Sequence, residues 1–161
     1  MINKLIQVIA QEAKVFEEFL QLLDRQKEAL VANDTKCLTD VTELQQRKLL
    51  DSQALNRRRE EIIAEIKVTN AIEGDVSVSR LLEYADEDQS QRLVHLKEAI
   101  RELDDRITET RNTNIMLLNR SREFISRTMT TLSQINSPDK SYNHTGAIPQ
   151  ESAALMVDRR V

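Results

Sequence analysis

The sequence predicts an all-α fold: an elongated antiparallel helical bundle or coiled coil of three long helices and one short one, ending in a flexible C-terminal tail. Composition points there first. Aromatic residues make up 3% of the chain and Trp is absent, whereas charged residues reach 31% and Leu, Ile, Glu, Arg and Gln recur throughout, the usage of long helices rather than sheets. The second observation is apolar residues at alternating three and four spacing over long windows. The third is the placement of the helix breakers. Both prolines, Pro138 and Pro149, and one of the two glycines, Gly146, fall within residues 137–150, leaving the preceding chain free of proline. The 161 residues thus divide into a helical domain, 1–136, and a tail, 137–161.

The first helix opens the chain. Ile2, Leu5, Ile9, Phe16, Phe19, Leu23 and Leu30 follow the heptad spacing, with Glu12 and Gln26 as polar exceptions on the same seam. Leu20 and Leu22 widen the stripe on both flanks, so this helix is expected to touch more than one neighbour. The stretch "VANDTKCL" then interrupts the pattern: Asn33 and Asp34 favour a turn, and Asp34 or Thr35 can cap the helix that follows. So short a connection makes the first two helices antiparallel neighbours.

The second helix is expected from about Thr35 to Ala71, with Leu38, Val41, Leu44, Leu55, Ile62 and Ile66 facing inward. Lys48 and Ser52 occupy seam positions in its middle, so packing there should be looser. Gly74 in "NAIEGDVSVS" suits a helix end, because glycine adopts left-handed dihedrals without steric cost. Ser77 or Ser79 can then cap a short helix carrying Leu81, Leu82 and Tyr84.

The last helix is expected from Ser90 to Asn136, with Asp88 and Gln91 approximating a capping box. Leu93, Leu96, Ile100, Leu103 and Ile107 alternate cleanly. The apolar phase then slips: the next layers are Arg111, Asn114, Leu118, Ile125, Met129 and Leu132, which reads as a four-residue stutter. At about 1.5 Å per residue this helix would span roughly 70 Å, against ~45 Å for the first. Its far half is nonetheless apolar, so its surplus surface is a candidate docking site. The candidate contacts are Leu117, Leu118, Phe124, Ile125, Met129 and Leu132.

Several function classes find no support. The net charge of −4 gives no basic face for nucleic acid, and Arg57, Arg58 and Arg59 are followed at once by Glu60 and Glu61. Two glycines seventy-two positions apart exclude a glycine-rich phosphate loop. His95 and His144 lack the Glu-x-x-His spacing of a bundle metal site, and Cys37, the single cysteine, has no base beside it in sequence. No catalytic residue, metal site or cofactor is therefore expected. The longest apolar run, Ala153 to Val157, is far short of the ~20 residues a membrane span needs, and Met1 to Ala10 has no signal-peptide core. The expectation is a soluble cytoplasmic protein.

Three stretches, quoted as they stand, resemble the FlgN family of flagellar export chaperones. "ALVANDTKCLTDVTELQQRKLLDSQALNRRREEI" is similar to that family's first turn and second helix. "TRNTNIMLLNRS" is similar to its asparagine-containing stretch of the long helix, with Arg111 standing where a second asparagine is expected. "SYNHTG" matches a tail pattern of Tyr, three residues, then Gly. The resemblance implies a cytoplasmic chaperone with no cofactor. It would grip the C-terminal helical segments of the hook-filament junction proteins FlgK and FlgL, prevent their premature assembly and deliver them to the export gate. Tyr142 then reads either as a portable anchor for that gate or as a residue packed back on the helix end. The competing reading is a structural homodimeric coiled coil without a client; the chaperone reading allows a monomer or a weak homo-oligomer.

Overall fold

The computed structural model describes residues 1–72 and 78–136. They form α1 (Ile2–Ala32), α2 (Thr35–Thr69), the single-turn α3 (Val78–Leu82) and α4 (Glu87–Asn136), with no strand among the described residues. Met1–Glu123 is one compact unit; a second begins at Phe124. Gly74, Ser77, Tyr142 and the tail at 137–161 lie outside the described residues.

The turn between α1 and α2 is two residues of capping chemistry. Asn33 takes left-handed dihedrals (φ 53°), and the Asp34 N–H donates back to the Ala29 carbonyl at 2.9 Å, closing α1 in a Schellman-type end. Asp34 then accepts from the Cys37 N–H on its Oδ1 at 2.9 Å and so starts α2. One aspartate thus serves the end of one helix and the beginning of the next. The hairpin runs antiparallel, as the pairs Gln26–Gln45, Glu18–Lys48 and Glu12–Arg59 show.

α2 stops earlier than the glycine suggests. It ends at Thr69, and the residue with a left-handed φ (48°) is Ala71, followed by a 3.0 Å bond from the Ile72 N–H to the Lys67 carbonyl. Burial of the Ile72 side chain beside Ile66 and Leu81 holds the chain in this turn despite the Cβ of Ala71. The short helix carries Leu81 and Leu82 as expected, but Tyr84 falls just past its end and is exposed.

The capping box of α4 exists two residues before the position expected. Asp86 Oδ1 accepts from the Gln89 N–H at 2.8 Å, and Gln89 Oε1 accepts from the Asp86 N–H at 3.2 Å. Asp86 wins over Asp88 because its partner three residues on can return the bond while also reaching α1, where Gln89 Nε2 donates to Asn3 Oδ1. α4 therefore begins at Glu87 rather than Ser90.

The core sits around the N-terminal third of α1, which is buried on two faces. Leu5 and Val8 pack with Ile62, Ile66, Ile72 and Leu81, while Ile2 and Ile6 pack with Leu93, flanked by Leu82, Ala85 and Leu96. Leu5, Ile6, Ile66 and Val41 are essentially fully enclosed, and each such side chain contributes roughly 1.5–3 kcal/mol. The widened stripe of α1 thus has the two neighbours its flanks imply. Contacts of Asn3 with Gln89 and of Leu23 with Asn114 make α4 run parallel to α1 within the Met1–Glu123 unit.

The middle of the hairpin is polar, as Lys48 and Ser52 suggest. Glu12, buried on α1, receives Arg59 Nη1 at 2.9 Å, and Arg59 Nη2 donates to Asn56 Oδ1 at 2.6 Å. Burial pushes the Glu12 carboxyl above the usual range, an effect opposed by the guanidinium beside it. Glu18 behaves oppositely: its hydrogen bond from Lys48 holds it below the usual range.

Candidate docking surface on the fourth helix

The buried line of α4 keeps the heptad without a slip. Leu93, Leu96, Ile100, Leu103, Ile107, Thr110, Asn114, Leu117 and Ser121 are all buried or half-buried, at strictly alternating spacing. The stutter expected at Arg111 is absent from this line; Arg111 is exposed, and Thr110 takes the inward place. What slips is the apolar content. Three of the last four inward positions are Thr110, Asn114 and Ser121, while the apolar side chains move one position on.

Asn114 is the pivot. It is 5% exposed, and its Nδ2 donates to the Leu23 carbonyl at 2.8 Å and to Gln26 Oε1 at 2.9 Å. Gln26 Nε2 in turn donates to Gln45 Oε1 at 3.3 Å, so a chain of amides crosses α4, α1 and α2. Asn114 Oδ1 and Gln45 Nε2 are enclosed without a hydrogen-bond partner among the described residues. A layer of this kind is weaker than Leu or Ile but tolerates only one alignment of the three helices.

With Asn114 level with Leu23 and Gln26, the last residue of α1, Ala32, falls level with a point between about Arg120 and Glu123 at equal rise along the two helices. From Arg122 to Ile135 every residue of α4 is exposed. Leu117 lies on the buried line and is half-covered. Leu118 is 49% exposed, Phe124 72%, Ile125 57%, Met129 64% and Leu132 50%. Ile115, Met116 and Ile135, which stand outside the candidate contacts, are exposed as well. Their apolar character was visible, but their side of the helix depended on the phase that Asn114 sets. Covering the remaining surface of each such side chain would contribute about 1 kcal/mol.

Elsewhere the described residues offer little chemistry. No group of His, Cys, Asp and Glu among them could hold a metal ion. The groove bordered by Glu12, Phe16, Ser52, Asn56 and Arg59 has its central charges already paired. Cys37 is half-buried at the start of α2. No helix among the described residues is long and apolar enough to cross a membrane.

Exposed apolar side chains on a helix are a common means by which a protein engages a partner helix. A family model described as FlgN protein matches residues 1–150. The chain belongs to the FlgN family. Its general role is therefore that of a FlgN-type flagellar export chaperone. The match takes in all four helices and extends past α4 over Tyr142. Comparisons with curated proteins and with solved structures found no match.

Proposed function

We propose that this FlgN-family protein escorts the hook-filament junction proteins FlgK and FlgL in the cytoplasm, seating their C-terminal helical segments against the exposed apolar side of α4. The observation that carries the reading is the exposure of Leu118, Phe124, Ile125, Met129 and Leu132 in a chain of this family. Together with Leu117 they form the client-contact set. An amphipathic client helix laid on such a face buries its own apolar stripe, which would keep it from assembling early. Several anchors worth about 1 kcal/mol each on this side, matched by the client's own, suffice for micromolar affinity after ordering costs. Tyr142 is assigned the contact with the export gate, an aromatic ring with a hydroxyl being suited to a small, separable anchor.

The test is co-purification of FlgK or FlgL with the wild-type chain and with Leu118→Glu/Ile125→Glu. Both positions are exposed, so the double variant should fold and lose the client. A folded variant that retains FlgK at wild-type strength defeats the site. Light scattering of the free chain at micromolar concentration addresses the homodimer reading: a monomer or weak oligomer leaves the face available, and a permanent dimer closed over it does not.

A further inference from the structure

We propose that the helix docking on α4 is an acidic one, presenting carboxylates to Arg111 and Arg122. This rests on the docking reading above and adds to it the charge of the partner. On α4 the residues Arg111, Ile115, Leu118 and Arg122 succeed one another at intervals of four, three and four, so they form a single stripe on one helix face. All are exposed. The two arginines therefore bracket the two apolar side chains, rather than standing on the opposite face as solvating charges normally do. In the sequence the same spacing continues through Ile125, Met129 and Leu132.

Charge balance points the same way. Between Arg111 and Asn136 there are four arginines, Arg111, Arg120, Arg122 and Arg127, against one acid, Glu123, in a chain whose net charge is −4. A locally positive segment attracts acidic partners and disfavours basic ones, and gives a neutral helix no electrostatic gain. Neither Arg111 nor Arg122 makes an ion pair among the described residues, in contrast to Arg47, Arg59 and Arg92. Their guanidinium groups present planar, two-pronged donors suited to carboxylates. Eleven residues separate them, roughly 16 Å along the axis, so a partner helix with Asp or Glu at two positions eleven apart on its apolar edge meets both.

The test uses the full chain and two synthetic amphipathic helices with an identical leucine face, one carrying Glu and the other Gln at two positions eleven apart. The Glu peptide is expected to bind the wild-type chain roughly tenfold more tightly, chiefly through a faster association rate, and to lose that advantage when ionic strength rises to about 0.5 M. In Arg111→Gln/Arg122→Gln, with circular dichroism confirming an intact fold, the two peptides should bind alike. Equal binding of both peptides to the wild-type chain overturns the charge assignment while leaving the apolar docking face standing. If neither peptide binds, the docking face and the charge assignment fall together.

Discussion

The side-chain amide of Asn114 in α4 donates to the backbone carbonyl of Leu23 in α1 across 2.8 Å, in a site 5% exposed to solvent. The bond, shared with Gln26, ties the fourth helix to the first at the point where apolar side chains leave the buried line. Asn114→Ala should cost about 1–3 kcal/mol in urea unfolding, because it removes both inter-helix bonds and leaves Gln26 Oε1 without its donor. Thr110→Ala, one turn earlier and half-buried, should cost less than about 1 kcal/mol in the same assay.

Two carboxylates on α1 should move stability in opposite senses with pH. Glu12 titrates above its ordinary 4.5 in the folded chain because burial disfavours its charge. Its contribution is therefore full below pH 4.5 and is lost as the pH rises through the folded value. Glu18, held low by Lys48, contributes above 4.5 and loses that contribution as the pH falls through its folded value. Thermal melts of wild type, Glu12→Gln and Glu18→Gln across pH 3 to 7 check this. Relative to wild type, Glu12→Gln should lose ground on acidification toward 4.5, and Glu18→Gln should gain it on acidification below 4.5.

The left-handed backbone at Ala71 should make a glycine welcome there. Ala71→Gly removes the Cβ clash at φ 48° and should stabilise by about 0.5–1 kcal/mol in denaturant unfolding, whereas Gly in an exposed helix interior such as position Ala54 should destabilise by a similar amount.

The start of α4 depends on a reciprocal cap. Asp86→Ala removes the acceptor for the Gln89 N–H and should cost about 1 kcal/mol, with amide exchange accelerating in the first turn of α4 before the rest of the helix.

Core and docking face should respond differently to truncation. Leu5→Ala, at a fully enclosed position, should cost about 2–5 kcal/mol, while Met129→Ala should leave unfolding within about 0.5 kcal/mol of wild type. Equal losses at the two sites would mean that Met129 is part of the packed scaffold.

Helix number, the first turn and both faces of α1 were legible because each rests on local rules: spacing, an Asn-Asp turn and a broad stripe. The exceptions on the seams were visible too. Glu12, Gln26 and Asn114 stood out as polar residues at inward positions, but their partners were not, since Arg59 lies 47 residues from Glu12 and Asn114 lies 88 from Gln26. The phase of α4 was misread for the same reason. Periodicity followed the apolar residues from Ile107 onward, whereas burial follows the amide that finds a partner on α1. Gly74 and Asp88 illustrate a smaller limit: several residues in a short stretch can end or cap a helix, and tertiary contacts through Ile72 and Asn3 decide which one does.

The separation of the buried line from the apolar stripe on α4 also bears on how such a chain evolves. Leu118, Ile125, Met129 and Leu132 hold up little of the fold, so nearly any exchange among aliphatic side chains at these places leaves the scaffold intact. Lineages can therefore change the chemistry of the stripe without first acquiring compensating changes in α1 or α2. The corresponding burden is stickiness, since exposed aliphatic side chains invite non-specific contacts.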